Sequence, residues 1–274
     1  MDIFSYLLGK QQGGSSGGGR DWSEIGYSSE PSSIQDGFDY AKNIYDNWDN
    51  PSHLANKFKN DYNLMFMPLV NTSNAYSFNS AFMNCESLIY LPLLDTSNVT
   101  KFYYAFYNCS ALQYVPSLDF SKGTDFESTF SSCSSLKEVP NLNFSSATSL
   151  FRTFQACINL KTLPKINASN VTRITEVVGN SSSGGCVKLE NLGGFENLGQ
   201  AFSTSYPANH NYYTLMLNGS TLITHDSLMN VINNLYDIAT KGCNAQRLVI
   251  GATNLAKLSS AEIAIATNKG WTVE

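Results

Sequence analysis

Four residue types recur at one fixed interval, and this period constrains the fold more than any other feature of the chain. Phenylalanine, cysteine, leucine and proline each form a column whose members share the spacing of Phe82 and Phe106. The columns are Phe82, Phe106, Phe130 and Phe154; Cys85, Cys109, Cys133 and Cys157; Leu88, Leu112, Leu136 and Leu160; and Pro92, Pro116, Pro140 and Pro164. A period of about 20 to 50 residues is typical of stacked supersecondary units. Residues 47–194 are therefore predicted to form the body of a solenoid.

Each unit is predicted to contain a short helix and a short strand. Phe78, Ala81, Phe82 and Cys85 lie at i, i+3, i+4 and i+7, the spacing of one helical face. The strand would follow near Leu88, and a proline in every unit should keep its ladder short. The expected fold class is an α/β repeat solenoid.

The first and last units depart from the regular pattern. Residues 47–70 keep most columns, but Asp61 replaces the cysteine, as expected of a terminal repeat. In the unit that begins at Asn167, the segment 180–184 is an insertion before Cys186 resumes the column. That insertion is predicted to be an exposed loop and a possible contact site.

Both flanks are predicted to seal the ends of the solenoid, which would otherwise expose apolar surface. Residues 33–48 should form an amphipathic helix in the N-terminal cap, residues 20–46, with Ile34, Phe38, Ala41, Tyr45 and Trp48 on its apolar face. Residues 195–274 should form an α/β capping module. Its signals are a helix opening at Thr224, a strand at 247–250, a capping box from Ser259 to Glu262 and a left-handed Gly270.

Residues 1–19 are interpreted as an apolar peptide on a Gly/Ser tether. Ile3, Phe4, Leu7 and Leu8 fall on one helical face, and residues 11–19 read as a flexible linker. The peptide is either a disordered terminus or a docking segment that binds another protein. The apolar run lacks a basic leading region and a cleavage site, so Sec-dependent export is not expected.

Charge and hydropathy argue against nucleic acid and membrane partners. The net charge is −5 and the sequence pI is about 5.2, whereas nucleic-acid binders normally carry a basic footprint. No run of about 18 apolar residues is present, so membrane insertion is not expected.

The cysteine column is predicted to hold buried thiols. Five of the six cysteines follow the repeat, and cysteine at a core position behaves as a small hydrophobe. A disulfide or zinc site is the alternative, although no CxxC with histidine partners is present. The polar segments between units, such as Asp95–Thr100, are predicted to form Asx turns.

The columns resemble a known repeat class. The segment Ala105–Pro116, with its A-F and C-x-x-L-x-x-V-P pattern, is similar to BspA-like leucine-rich repeats. The Asp95–Thr100 linker resembles the variant found in bacterial surface proteins and in phage or prophage structural proteins. Residues 255–271 and 1–10 are also similar to segments of phage-encoded tail or virion proteins. The resemblance implies a leucine-rich repeat fold and a phage structural protein.

No constellation typical of catalysis or of cofactor binding appears in the sequence. His53, His210 and His225 are well separated, and no P-loop, zincin or nucleophile-elbow motif occurs in a suitable context. We therefore expect no catalytic, cofactor-binding or metal-binding residues and no enzymatic activity.

Variable positions beside the regular columns are the candidate partner-binding surface. They are either ordinary solvent-facing positions or a recognition face, since solenoids present extended surfaces and exposed aromatic residues suit sugar or protein contacts. The candidates are Tyr90, Tyr103, Tyr104, Tyr107, Tyr114, Glu138 and Lys161.

Together with the tether and the absence of an export signal, the resemblance implies a phage virion-associated binding protein, located on the tail, the baseplate or the capsid. Residues 1–10, through Ile3, Phe4, Leu7 and Leu8, would bind another virion protein, and the repeats would recognise a host-surface glycan or protein. The particle would assemble in the host cytoplasm. The alternatives are a bacterial cell-surface adhesin and, third, a carbohydrate-active enzyme.

Overall fold

The computed structural model describes residues 32–180, 182 and 184–274. Regular elements are few and short. They are α1 (Ser32–Asp46), β1 (Thr162–Leu163), β2 (Ile166–Asn167), β3 (Asn191–Leu192), β4 (Phe195–Glu196), a 3-10 turn (Asn211–Tyr213), β5 (Leu215–Met216), α2 (His225–Asn234), β6 (Gln246–Val249), α3 (Gly251–Leu255), α4 (Ser260–Asn268) and β7 (Trp271–Val273).

Successive repeat units lie side by side and are joined by backbone hydrogen bonds. The N–H groups of Phe78, Ser80 and Phe82 donate to carbonyls of the following unit, the first to Lys101 at 2.9 Å and the last to Ala105 at 2.8 Å. Equivalent bonds link the later units. Isolated parallel bridges mark the same order, including Ser77 with Lys101. We call this array, residues 47–194, the stack.

The predicted helix in each unit is wrong, because consecutive β-turns take its place. The N–H of Ala81 donates to the carbonyl of Phe78, and that of Cys85 donates to Phe82, each from one end of a turn to the other. The third residue of each turn is left-handed, with φ of 51° at Ser80 and 61° at Asn84. Two such turns follow one another every four positions, so they bury almost the same residues as a two-turn helix. The remaining N–H groups are then free to join neighbouring units.

A column of phenylalanine rings forms the centre of the stack. Phe82 and Phe106 stack with ring centroids 5.2 Å apart and planes 5° apart. The same parallel stacking joins Phe58 to Phe82, Phe106 to Phe130 and Phe130 to Phe154 at 5.2 to 5.5 Å. All but Phe58 are fully buried. Each unit therefore advances the stack by about one ring-to-ring distance.

The cysteine column contributes hydrogen bonds as well as packing. Cys109 Sγ lies 3.1 Å from the carbonyl oxygen of Phe82 in the preceding unit, and Cys133 Sγ lies 3.1 Å from that of Phe106. Cys85, Cys157 and Cys186 make the same contact at 3.0 to 3.1 Å. All six cysteines are free thiols, and Cys243 alone is not fully buried.

Helix α1 contacts the first unit at Asp61, the residue that replaces cysteine in that unit. Tyr40 of α1 donates its hydroxyl proton to Asp61 Oδ2 at 2.6 Å. Ala41 is fully buried, and Trp48 continues the ring column by stacking on Phe58 at 6.3 Å. The interior of the stack is therefore covered at this end by residues 40–48.

The predicted apolar face of α1 is partly wrong. The helix ends at Asp46, so Trp48 reaches Phe58 from the chain that follows it. Tyr45 is 53% exposed. A step of four positions advances a helix by about 40° more than a full turn, so Tyr45 is rotated away from the face that begins at Gly37. Gly37 packs so closely on Met65 that an added Cβ would lie 2.8 Å from its sulfur.

The polar segments between units form the predicted Asx turns. Asp95 Oδ1 accepts the N–H of Ser97 at 3.0 Å, and Asp119 Oδ1 accepts that of Ser121 at 2.8 Å. Equivalent bonds occur at Asn71, Asn143 and Asn167. Hydrogen bonds from Ser97 and Ser121 lower the pKa of the Asp95 and Asp119 carboxyls. This polarity is explained by turn formation.

The C-terminal residues form a parallel sheet in the order β5-β6-β7 with helices between the strands. The N–H of Ile174 in the last unit donates to Tyr212 at 2.9 Å, just before β5. On the other side, Ser227 at the start of α2 donates its hydroxyl proton to the Glu190 carbonyl. These contacts join the module to the last unit of the stack.

Three sequence signals in this module are confirmed. Thr224 caps α2 by accepting the N–H of Ser227, and Ser259 forms a capping box with Glu262 at the start of α4. Gly270, directly before β7, has a φ of 90°. The predicted strand at 247–250 is present one position earlier, at Gln246–Val249.

Candidate functional site

The structure places the predicted surface residues in two groups. Tyr103, Tyr104 and Tyr107 lie in the turn segment of one unit and contact one another. Tyr114 and Glu138 belong to a different column, in which they form a parallel bridge. Tyr90 is the preceding member of that column, and Lys161 lies beside a later member, Thr162.

The three turn-segment tyrosines form a compact aromatic cluster. The ring centroids of Tyr103 and Tyr104 are 4.4 Å apart, and those of Tyr104 and Tyr107 are 5.1 Å apart. Tyr103 is 37% exposed. Partial burial, then the neighbouring Tyr104 and Glu127, raises the pKa of the Tyr103 hydroxyl. This hydroxyl is therefore a neutral phenol at ordinary pH.

Residues of the next two units extend this cluster along the stack. Glu127 occupies the position of Tyr103 in the following unit, and Phe151 occupies it in the unit after that. The backbone N–H of Tyr104 donates to Glu127, and that of Ser128 donates to Phe151. Successive units therefore bring Tyr103, Glu127 and Phe151 into one row.

Two arginines cover the ring of Phe151, and each is paired with a glutamate. The guanidinium carbons of Arg152 and Arg173 lie 4.7 Å and 4.3 Å from the ring centroid. Arg152 donates to Glu176 at 2.7 Å, and Arg173 donates to Glu127. The glutamate side chains are only 13% and 14% exposed. The charges of this region are therefore compensated within the surface itself.

The row continues into the C-terminal module. Arg173 also lies over the ring of Tyr212, at 5.1 Å, and Tyr212 contacts His210 edge-on at 5.2 Å. His210 stacks on Tyr206 with centroids 4.3 Å apart. Tyr206 is 44% exposed and Tyr212 is 50% exposed. We call the aromatic residues of this row the aromatic track: Tyr107, Tyr104, Tyr103, Phe151, Tyr212, His210 and Tyr206.

Sequence reasoning missed the second half of the track. Phe151 shares the column of Tyr103, so a search along that column could have found it. Tyr206, His210 and Tyr212 lie in an irregular segment without a repeat position, and only the fold places them beside Arg173. Nothing in their local sequence indicates that contact.

The other column carries one exposed aromatic side chain flanked by charge. Tyr114 is 52% exposed, and Lys137 Nζ lies 5.5 Å from its ring centroid. Lys137 also donates to Gln113 of the preceding unit at 2.8 Å. The exposed side chains of this column are therefore isolated from one another, whereas those of the aromatic track are connected by a series of contacts.

Two further groups of titratable residues are present. His225 Nε2 lies 2.8 Å from Glu262 Oε1, joining the first turns of α2 and α4. Glu262 raises the pKa of His225, and Ser259 with His225 lowers the pKa of Glu262 to about 2. Burial raises the pKa of the Cys133 thiol to about 12. Within residues 32–180, 182 and 184–274, no group of three or more His, Cys, Asp or Glu could hold a metal ion.

Two predicted features belong to none of the groups of residues described above. The proposed virion anchor, Ile3, Phe4, Leu7 and Leu8, lies outside the described residues. The 180–184 loop is described only at positions 180, 182 and 184, where Asn180 Oδ1 accepts the N–H of Ser182 at 2.8 Å. In the described part of the chain, no helix is long and apolar enough to cross a bilayer.

These features describe a protein of stacked repeat units with a connected aromatic surface. Residues 75–185 match a family described as "Mycoplasma protein of unknown function, DUF285". The match spans about two fifths of the chain and includes the regular units. This family is related to BspA-like leucine-rich repeats, in agreement with the resemblance of the repeat motif. No curated protein and no solved structure shows significant similarity to the chain.

Proposed function

We propose that the chain is a leucine-rich repeat solenoid, sealed by residues 20–46 and 195–274, that acts as a non-enzymatic binding protein. Its partner is a glycan or protein on the surface of a host cell. The observation that carries the proposal is the aromatic track, because partly exposed Tyr and Arg side chains are among the residue types most enriched at binding hot spots. The hydrogen-bonded units beneath the track hold these residues in a fixed arrangement.

The proposed setting is a phage particle. Residues 1–10 would attach the chain to another virion protein, residues 11–19 would provide reach, and the repeat surface would face the host. The support is the resemblance of the repeat linker and of both termini to phage structural proteins.

A bacterial cell-surface adhesin is the second candidate. The description of the matched family refers to a Mycoplasma protein, and this favours a bacterial cell as the source of at least this type of repeat. Immunoblots of purified particles and of cell envelopes separate the two settings. Detection in particles favours the virion protein, and detection in envelopes of uninfected cells favours the adhesin.

Binding is tested with fluorescently labelled full-length protein on a panel of intact bacterial strains. We expect saturable binding to a subset of strains and weaker binding by Tyr103→Ser, whose side chain is partly exposed. Tyr45→Ser, an exposed tyrosine on α1, is the matched control and should bind normally. Failure to bind any strain, or equal binding by both variants, would overturn the proposal.

The virion anchor needs a separate measurement. Particles that lack the protein are mixed with the full chain or with a chain that begins at residue 20, and bound protein is measured after sedimentation. The proposal expects attachment of the full chain alone. Equal attachment of both would remove residues 1–10 as the anchor.

A screen for reducing ends released from cell-wall glycans tests the third alternative, a carbohydrate-active enzyme.

A further inference from the structure

We propose that the aromatic track binds a neutral polysaccharide chain that lies across the units of the stack. The inference rests on the proposed binding function and deepens it by naming the class of ligand. It depends on three properties of the track: its continuity, the amphipathic character of its side chains and the internal pairing of its charges.

The track is continuous from the unit that contains Tyr103, residues 95–118, to the C-terminal module. Tyr104 contacts Tyr103, which lies beside Glu127, and Glu127 pairs with Arg173. Arg173 in turn contacts the rings of Phe151 and Tyr212. A ligand that follows these contacts crosses several units, so an extended polymer fits better than a small molecule in a single pocket.

The side chains match the surface of a sugar ring. A pyranose has an apolar face of C–H groups and an edge of hydroxyls, while tyrosine combines an apolar ring with a polar tip. Tyr103, Tyr206 and Tyr212 are between 37% and 50% exposed, so each keeps part of its ring accessible. Glu127 lies between Tyr103 and Phe151 in the row, and Arg152 lies over the ring of Phe151. Each can hydrogen-bond with ligand hydroxyls through donor or acceptor positions that its ion pair does not use.

The paired charges select a neutral chain over an acidic one. An acidic polymer needs uncompensated cations, but Arg152 and Arg173 are already bonded to Glu176 and Glu127. Breaking either pair would leave a largely buried carboxylate without its partner, which is costly. The net charge of −5 adds a long-range repulsion for anionic polymers.

The track is also held in place before any ligand arrives. The ring of Phe151 contacts two guanidinium groups, and the backbone of its unit is bonded to the units on both sides. Little side-chain freedom is lost when a ligand binds to residues that are already fixed. Such preorganisation lets modest contacts with individual sugars add along a chain.

The test uses affinity electrophoresis of the full chain through gels that contain one soluble polysaccharide each. The neutral probes are a β-glucan, a mannan and a galactan, and the acidic probes are alginate and hyaluronan. We expect at least one neutral polymer to retard the protein and the acidic polymers not to do so. Retardation by any acidic polymer, or by none of the five, would overturn the proposal.

Variants locate the binding surface. Tyr212→Ala is expected to weaken retardation by about tenfold, in the range of a single hot-spot side chain. Phe151→Ala removes the ring on which Arg152 and Arg173 lie and should also weaken retardation, and thermal unfolding shows whether each variant is folded. Tyr45→Ala is the matched control because Tyr45, on α1, is 53% exposed and belongs to neither group of surface residues. Equal loss with Tyr45→Ala, or none with Tyr212→Ala, contradicts the assignment.

Failure of this inference is distinguishable from failure of the proposed function. Cells that bind the protein are treated with periodate, which destroys sugar rings, or with a protease. Binding that survives periodate and is lost after proteolysis overturns the glycan ligand and keeps the binding function. Untreated cells that never bind overturn the function itself.

Discussion

Cys109 Sγ lies 3.1 Å from the backbone carbonyl oxygen of Phe82, one unit earlier in the stack. The same carbonyl already accepts the N–H of Cys85, which closes a turn within its own unit. The thiol proton therefore supplies a second hydrogen bond that joins neighbouring units. The cysteine column is a polar connection as well as a line of small buried side chains.

Replacing Cys109 by valine should destabilise the stack modestly. Valine is close to cysteine in size but cannot donate to the Phe82 carbonyl, so we expect a loss of about 1 kcal/mol in the free energy of unfolding. Urea unfolding followed by circular dichroism measures the change. Cys109→Ser, which keeps a donor, indicates how much of the effect comes from the hydrogen bond; an unchanged Cys109→Val stability would show that the S–H contact contributes nothing.

The buried thiols should make the protein less stable in alkali. Burial raises the pKa of Cys133 from 9.0 to about 12. Because the folded-state pKa is the higher one, the unfolded chain loses its proton first, and the stabilising effect fades as the pH rises from 9 towards 12. Each such thiol lowers the free energy of unfolding by up to about 1.4 kcal/mol per pH unit in that window.

Unfolding in urea at pH 8, 9, 10 and 11 measures this pH dependence. The Cys133→Ser variant lacks the titrating group and should show a shallower decline than the unaltered protein. Parallel curves for the two proteins would contradict the expected contribution of the thiol.

Helix α1 should loosen when its bond to the first unit is removed. Tyr40→Phe deletes the hydroxyl that donates to Asp61, a partly exposed contact worth about 0.5–1 kcal/mol. Hydrogen exchange of the α1 amides should accelerate relative to amides at the centre of the stack. Tyr45→Phe removes an exposed hydroxyl from the same helix and should leave exchange unchanged. Equal protection in both variants would show that the Tyr40 bond does not hold the helix.

An asparagine at position 132 should stabilise the stack. Ser132 has a φ of 63°, a left-handed conformation that asparagine adopts more readily. In the two preceding units this position holds Asn84 and Asn108, and Asn108 Nδ2 donates to Asn84 Oδ1 at 3.2 Å. Ser132→Asn can extend this amide ladder, with an expected gain of about 0.5–1 kcal/mol.

Thermal and urea unfolding measure the effect of Ser132→Asn. Ser132→Val is the opposing control, because a β-branched residue is strained at this φ and should lower stability. A valine variant as stable as the asparagine variant would contradict the backbone argument.

The period of the sequence predicted which residues would share a column, and the structure places them next to one another. The local conformation was harder to predict. Phe78, Ala81, Phe82 and Cys85 satisfy both a two-turn helix and two consecutive β-turns, because both repeat about every four positions. Asn84 and Asn108 hinted at left-handed turns, but Tyr104 and Arg152 adopt the same backbone without favouring it.

The candidate site was predictable only where its residues are close in sequence. Tyr103, Tyr104 and Tyr107 were found because they lie within five positions. Arg173 and Tyr212 are far apart in sequence, and their contact depends on how the C-terminal module docks on the last unit. Docking of this kind is decided by tertiary packing and leaves no periodic signal.

The backbone hydrogen bonds that join neighbouring units repeat from unit to unit, and this repetition determines how such a chain can change in length. Each internal unit makes a similar pattern of backbone hydrogen bonds with the unit before it and with the unit after it. If one internal unit, such as 95–118, were deleted, the units on either side of it could therefore form the same hydrogen bonds with each other. Its loss or duplication would shorten or lengthen the molecule without altering the contacts that α1 and the C-terminal module make with the first and last units.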